Sequence, residues 1–228
     1  MTANQRNRRK KRRRKINYKA FSIRVGIILL IALTVALGIY SCAGGGRRAA
    51  DVDASEPEID VQLLDVNPYS RPGIETEKIT GIVVHYTANP GSSAQDNRDY
   101  FNGLQDSHET EASSNFVIGM EGEIIQCVPT WEVAYASNER NMDTVSIECC
   151  HPDESGEFTD ETYRSLVQLT AWLCTKFELS EEDVIRHYDV TGKVCPKYFV
   201  DHEDEWENFK EDVAAAIEKG DSSAESGS

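Results

Sequence analysis

The first 48 residues of this 228-residue chain contain no aspartate and no glutamate. They hold thirteen lysines and arginines, so the remaining residues carry all 39 acidic side chains against only eleven basic ones. A surface this negative repels phosphate, which excludes nucleic acid as a partner of the acidic part. The net charge of −15 is therefore the sum of two oppositely charged segments.

The sequence also lacks an internal repeat and a regular cysteine spacing, which argues against a solenoid and a disulfide-stapled scaffold. Its 39% hydrophobic content excludes a wholly disordered chain. Four cysteines outside the candidate site are expected to be buried free thiols: Cys127, Cys149, Cys150 and Cys174. A Cys149–Cys174 disulfide across the core is the alternative, because an exported domain permits disulfides.

One long apolar run, FSIRVGIILLIALTVALGIY at Phe21–Tyr40, contains a single charge, Arg24. A helix of this length spans about 30 Å, the thickness of the hydrocarbon core of a bilayer. The basic residues before it predict a cytoplasmic segment at 1–20 and a transmembrane signal-anchor at 21–41. We therefore expect a single-pass protein of the cell membrane, with its acidic part on the extracytoplasmic side.

Two alternatives exist for this N-terminal region. The run could be a cleaved signal segment, since the residues before Cys42 loosely resemble a lipobox, in which case Cys42 would carry a lipid anchor. The basic arm could instead bind cytoplasmic nucleic acid or anionic lipid, with a purely structural outer domain.

Three regions follow the predicted anchor. Residues 42–72 are glycine-, proline- and acid-rich and predict a flexible acidic linker. Residues 73–219 mix strand and helix patterns, which predicts a single α/β domain, and residues 220–228 predict a disordered tail. The expected strands lie at 79–87, 115–119, 123–128, 133–136, 144–150 and 184–187, and the expected helices at 92–104, 159–177 and 199–219.

Three metal-ligand side chains lie at or just after the ends of predicted strands. His85 ends the apolar run GIVVHYT, His187 follows VIR, and Cys195 comes eight residues later. Two imidazoles and one thiolate suit Zn²⁺ and leave one tetrahedral position open for water. Gly192 lets the intervening loop turn back, so that His187 and Cys195 can meet one ion. The alternative is that these are ordinary core residues.

Two charged residues accompany these candidate ligands. Strand alternation places Glu148 on the face opposite Val145 and Ile147. A carboxylate inside an apolar strand is costly to bury without a partner, and metal-bound water is one such partner. A salt bridge at a sheet margin is the alternative. Lys193 lies two residues before Cys195, so a cation is expected near the metal unless it is an ordinary exposed loop lysine.

Four segments together resemble a known family: GIVVHYT, SSNFVIGMEGEIIQCVP, VSIECC and IRHYDVTGKVCPKYF. They are similar to the zinc-dependent N-acetylmuramoyl-L-alanine amidases of the type-2 class, whose fold peptidoglycan recognition proteins and phage lysis amidases share. The resemblance covers roughly residues 76–212. It implies a central mixed β-sheet flanked by helices. It also implies Zn²⁺ bound by His85, His187 and Cys195, Glu148 as the catalytic acid/base, and Lys193 as the basic residue beside the metal.

The resemblance further implies hydrolysis of the amide bond between N-acetylmuramic acid and L-alanine, with peptidoglycan or muropeptide as substrate. Two departures leave the muropeptide preference open: Tyr86 replaces a second histidine, and residues 134–137 replace a Trp-His-Ala-Gly stretch. A membrane-tethered, non-catalytic peptidoglycan sensor is the alternative. Cys195 favours the enzyme, because relatives that only bind peptidoglycan commonly lack this ligand.

Overall fold

The computed structural model describes residues 48–226, with side chains described for residues 48–222. The predicted cytoplasmic segment (1–20), the predicted anchor (21–41) and Cys42 lie outside the described residues. Within the described part, no helix has both the length and the apolar character needed to cross a membrane.

Six strands and five helices make up the described part. The strands are β1 (Asp60–Val61), β2 (Gly81–Tyr86), β3 (Phe116–Ile118), β4 (Ile124–Gln126), β5 (Thr144–Cys149) and β6 (Val184–Arg186). The helices are α1 (Ala94–Ser107), α2 (Asp160–Phe177), α3 (His187–Thr191), α4 (Lys197–Asp201) and α5 (Glu203–Ser226). Short 3₁₀ turns lie at Asn138–Arg140 and Glu181–Asp183.

The strands form one mixed sheet in the order β1-β4-β3-β5-β2-β6. Only the β3–β4 pair is antiparallel, and the other four pairs are parallel. The predicted α/β domain with a central mixed sheet and flanking helices is confirmed. Because β2, β5 and β6 run in the same direction, their carboxyl ends meet at one edge of the sheet. Ligands bind at such edges in open α/β sheets.

The two faces of the sheet pack against different helices. Val145 and Ile147 of β5 join the larger core, which also contains the apolar faces of α2 and α5. On the other face, Val117 and Ile125 pack with Phe101 of α1. The predicted alternation in β5 is therefore confirmed, and the face that carries Glu148 is the one covered by α1.

The starts of the two longer early helices follow local rules. Ser93 caps α1 in a reciprocal capping box with Asp96, and Thr159 Oγ1 accepts a 3.0 Å hydrogen bond from the backbone N–H of Thr162 in α2. Both arrangements satisfy backbone donors that the first helical turn leaves free.

The prediction of a flexible linker is wrong for residues 48–72, which we call the N-terminal segment. Val52 and Ala54 are buried in the larger core, and β1 pairs with β4 at the sheet edge. Leu64 is 1% exposed. Arg71 forms a 2.7 Å ion pair with Glu132. The acidic composition suggested a solvated chain, but a few apolar side chains cover surface that the sheet and α2 would otherwise expose.

Three smaller predictions also differ from the structure. Residues 133–136 are irregular rather than a strand. The predicted helix over 199–219 is broken at His202 between α4 and α5. The predicted disordered tail is helical as far as Ser226. This extension passes so close to the N-terminal segment that a Cβ on Gly220 would lie 3.0 Å from Ala54 Cβ. The tail sequence does not reveal that tertiary contact.

We predict that Leu64→Ala lowers the free energy of unfolding of the full chain by about 2–4 kcal/mol, because it leaves a cavity beside Val117 and Ile125. Leu63→Ala is the matched control, since Leu63 is 36% exposed; it should cost less than about 1 kcal/mol. Urea unfolding measures both. Equal effects of the two changes would show that the N-terminal segment is not part of the folded core.

Candidate active site

His85 and Glu148 are neighbours because of the strand register. In the parallel pairing of β2 with β5, His85 lies opposite Glu148, so both side chains project from the same face of the sheet. His85 Nδ1 lies 4.0 Å from Glu148 Oε1. The pair lies at the carboxyl edge of the sheet, where the sequence predicted His85.

The other two candidate ligands come from the loop after β6. α3 runs from His187 to Thr191 and is followed by Gly192, whose φ of 77° lies in the left-handed region that favours glycine. The chain then returns, and the backbone N–H of Tyr188 donates a 2.9 Å hydrogen bond to the carbonyl of Cys195. The predicted turn of this loop is therefore confirmed, and it brings Cys195 back beside His187.

Arg186 fixes the start of this loop through ion pairs and a hydrogen bond. Its guanidinium forms ion pairs with Asp189 at 2.9 Å and with Glu203 at 2.6 Å, and it donates a 3.0 Å hydrogen bond to the carbonyl of Phe199. Arg186 is only 6% exposed, and its two charged partners offset the cost of burying the cation. The residue preceding His187 is thus tied to both later helices.

One ligand atom from each of His85, His187 and Cys195 lies within 4.8 Å of the others. All three residues are buried. Cys195 Sγ lies 3.8 Å from His85 Nδ1, and the two imidazole rings are 4.7 Å apart, centre to centre. Around a tetrahedral zinc ion such atoms lie roughly 3.3–3.8 Å from one another. The residues present therefore fit a zinc site after small side-chain movements.

Burial shifts the protonation equilibria of all three groups. It lowers the pKa of His85 far below its usual value, with help from nearby His187 and Lys193, and it lowers that of His187. It raises the pKa of the Cys195 thiol to about 12, and the Glu148 carboxylate adds to this shift. Neutral imidazoles offer a free lone pair to a metal. A divalent cation would reverse the shift at the thiol by stabilising the thiolate.

Glu148 is partly buried, and one of its carboxyl oxygens, Oε2, is fully enclosed. Burial raises its pKa to about 8, and Lys193 opposes part of that shift. Within residues 48–222, Glu148 Oε2 has no hydrogen-bond partner. The alternative of a salt bridge at a sheet margin corresponds only to the 4.0 Å contact with His85, whose imidazole is charged only when it is protonated. A raised pKa together with a free oxygen is typical of a general acid/base.

The cluster forms the floor of a cleft with a volume of about 390 Å³. Lys193 is exposed and lines the same cleft, so all five predicted site residues come together there. The other lining residues are Tyr86, Phe101, Glu111, Ala112, Ser113, Tyr135, Ala136, Asn138 and Asn141.

Two polar residues beside the cluster were missed by the sequence analysis. Ser137 Oγ lies 3.1 Å from His85 Nε2, and Asn138 Oδ1 lies 2.9 Å from His187 Nε2. The available signal was weak: two small polar residues following an apolar stretch are usual in any surface turn.

The remaining cysteines and His151 do not join the site. Cys127, Cys149, Cys150 and Cys174 are buried free thiols, as predicted. His151 is not among the residues that line the cleft. Its ring stacks on that of Tyr86 at 5.1 Å.

The fold and the cluster define an α/β domain with a candidate His-His-Cys metal centre at the carboxyl edge of its sheet. The sequence profile of the N-acetylmuramoyl-L-alanine amidase family matches residues 75–198. The chain therefore belongs to this family, in its type-2 class, and the resemblance noted in the motifs is confirmed.

Named relatives agree with this assignment. The chain is 36% identical to N-acetylmuramoyl-L-alanine amidase CwlL of Bacillus licheniformis over 167 residues, which cover 68% of this chain and 46% of the relative. It is 31% identical to amidase BlyA of Bacillus subtilis (strain 168) over 175 residues, again 68% of this chain and 46% of the relative. The chain thus spans about half the length of the curated relatives it matches.

Solved structures show the same fold. The chain superposes on PlyL with a TM-score of 0.60 and 23% identity, covering 70% of this chain and 99% of PlyL. It superposes on the catalytic domain of XlyA with a TM-score of 0.59 and 24% identity, covering 69% and 99%.

We predict that Glu148→Gln stabilises the metal-free protein in a pH-dependent way. The pKa of Glu148 is raised on folding from 4.5 to about 8, so its carboxyl destabilises the fold increasingly as pH rises from 4.5 through 8. The free energy of unfolding of the variant, measured in urea with a chelator present, should match that of the unmodified chain at pH 4 and exceed it by about 1–3 kcal/mol at pH 9.

The control for this comparison is Glu121→Gln, since Glu121 is exposed; it should give no pH-dependent difference. A Glu148→Gln variant that is less stable than the unmodified chain at pH 9 would contradict the prediction.

Proposed function

We propose that this chain is a zinc-dependent peptidoglycan hydrolase that cleaves the amide bond between N-acetylmuramic acid and L-alanine of the stem peptide. The observation that carries this proposal is the convergence of three buried ligand atoms within 4.8 Å, with the Glu148 carboxyl 4.0 Å from one of them. Family membership and the cleft above the cluster support it.

His85, His187 and Cys195 would hold Zn²⁺ in this proposal. When bound there, Zn²⁺ polarises the scissile carbonyl and lowers the pKa of the attacking water. His85 lies on β2, His187 begins α3 directly after β6, and Cys195 lies between α3 and α4. Their positions therefore depend on the sheet rather than on flexible chain ends.

Glu148 takes the proton of the attacking water and passes it to the leaving amine of L-alanine. Its free Oε2 and its position on the same sheet face as His85 suit both transfers. The water oxygen first bonds to the carbonyl carbon, and the C–N bond then breaks as the nitrogen takes the proton from Glu148. The products are a lactyl carboxylate and a stem peptide with a free amino terminus.

Lys193 stabilises the negative charge that develops on the scissile carbonyl oxygen. Its ammonium group is close enough to influence the pKa of Glu148 and both histidines, and it lines the cleft. A fixed cation beside developing charge is an electrostatic contribution to catalysis.

We predict that the full chain in detergent, with zinc, releases stem peptides with a new L-alanine amino terminus from purified peptidoglycan. Glu148→Gln should lower kcat about 10²–10⁴-fold because the general base is lost, and it should leave zinc binding intact. Cys195→Ser should lose zinc affinity and activity together. Mass spectrometry of the digest measures the products, and Glu121→Gln is the control.

A peptidoglycan-binding sensor would give a different result. The unmodified chain would then retain peptidoglycan on the same cleft without releasing any peptide, and Glu148→Gln would change nothing. Full peptide release by both the Glu148→Gln and the Cys195→Ser variant would also contradict the proposed hydrolysis at this site.

We further propose that residues 21–41 anchor the protein in the cell membrane, with the amidase domain on the extracytoplasmic side. The support is the 20-residue apolar run with a basic segment before it. Such an anchor would keep the hydrolase beside the inner layers of the cell wall.

We predict that the full chain, expressed in a bacterium, fractionates with the membrane and is cut by a protease added from outside the cytoplasm. Deleting residues 1–41 should move it to the soluble fraction, whereas Cys42→Ser should leave it in the membrane. Release by Cys42→Ser alone would show a lipoprotein anchor instead.

A further inference from the structure

A single turn touches both candidate histidine ligands. Ser137 Oγ lies 3.1 Å from His85 Nε2, and Asn138 Oδ1 lies 2.9 Å from His187 Nε2. These are adjacent residues, although their histidine partners come from different elements, β2 and α3. The turn therefore contacts both imidazole rings through hydrogen bonds.

The side chain of Asn141 fixes the backbone of this turn. Asn141 Oδ1 accepts hydrogen bonds from the backbone N–H groups of Ala136 at 3.1 Å and Ser137 at 2.6 Å. Asn138 has a φ of 54°, a left-handed conformation that asparagine tolerates better than most residues. Ser137 is 1% exposed. Its hydroxyl and the Asn138 amide are thus presented at defined positions.

The chemistry of these partners selects one nitrogen on each ring. Asn138 presents Oδ1 to His187 Nε2, and a side-chain carbonyl oxygen only accepts hydrogen bonds. In this arrangement His187 Nε2 is the donor and its Nδ1 keeps the lone pair. A hydroxyl can accept in the same way from His85 Nε2. His85 Nδ1 then faces the cluster, 3.8 Å from Cys195 Sγ.

We propose that Ser137 and Asn138 are positioning residues for the metal: they accept the Nε2 protons of His85 and His187 and so present both Nδ1 atoms as ligands. This inference rests on zinc binding by the proposed hydrolase. Groups that orient metal-bound histidines typically contribute 10–100-fold to metal affinity. Their removal weakens binding without touching any ligand.

The choice of variants separates the side chain of Asn138 from its backbone. Asn138→Gly keeps the left-handed conformation and removes the amide, whereas Asn138→Asp keeps an accepting oxygen at the same position. Ser137→Ala removes only the hydroxyl. Glu178→Gly is the matched control, because Glu178 has a φ of 57° at the end of α2 and is exposed.

The experiment measures zinc affinity of the full chain in detergent by competition with a chromophoric chelator. Asn138→Gly and Ser137→Ala should each weaken zinc binding about 10–100-fold, whereas Asn138→Asp and Glu178→Gly should retain it. The visible spectrum of the Co²⁺-loaded chain should change in the two weakened variants. The free energy of unfolding of the metal-free chain should fall no further in Asn138→Gly than in Glu178→Gly.

Unchanged zinc affinity and an unchanged Co²⁺ spectrum in Asn138→Gly and Ser137→Ala would overturn the positioning role. Equal weakening by Asn138→Asp would do so too, because the accepting oxygen would then be irrelevant. In either case the proposed hydrolase stands if the unmodified chain still binds zinc and releases stem peptides. Absence of zinc binding in the unmodified chain would refute the proposed function together with this inference.

Discussion

The parallel pairing of β2 with β5 is the constraint on which the site depends. Its register places His85 opposite Glu148, and a shift of one residue would turn one of the two to the other face of the sheet. Because β2 also pairs with β6, the same strand sets the starting point of the loop that carries His187. β2 is buried on both faces of the sheet.

This arrangement concentrates ionisable groups where water cannot stabilise their charges. Glu148 and Cys195 have raised pKa values and both histidines have lowered ones, in each case chiefly because of burial. A folded protein tolerates such a cluster when the rest of the domain supplies stability. In this domain the stability comes from the two packed faces of the sheet, the ion pairs of buried Arg186 and the N-terminal segment.

Much of the site could be predicted from the sequence because it depends on local patterns. Strand alternation predicted the face of Glu148, Gly192 predicted the turn before Cys195, and Thr159 predicted the start of α2. The packing of residues 48–72 could not be predicted in this way. Its composition is that of a solvated spacer, and its few apolar side chains acquire partners only once the sheet and α2 exist. The Ser137 and Asn138 contacts were missed for the same reason, since nothing local links that turn to either histidine.

The sequence by itself determined the chemical types at the site, the family, and the division into a basic apolar N-terminus and an acidic domain. These follow from residue identity, short spacing and hydrophobic period, which are properties of neighbours along the chain. Only the tertiary structure decided which nitrogen of His85 faces the cluster, which oxygen of Glu148 is free, and that the N-terminal segment belongs to the fold. Those features depend on contacts between residues tens of positions apart, and such contacts form only when the sheet assembles.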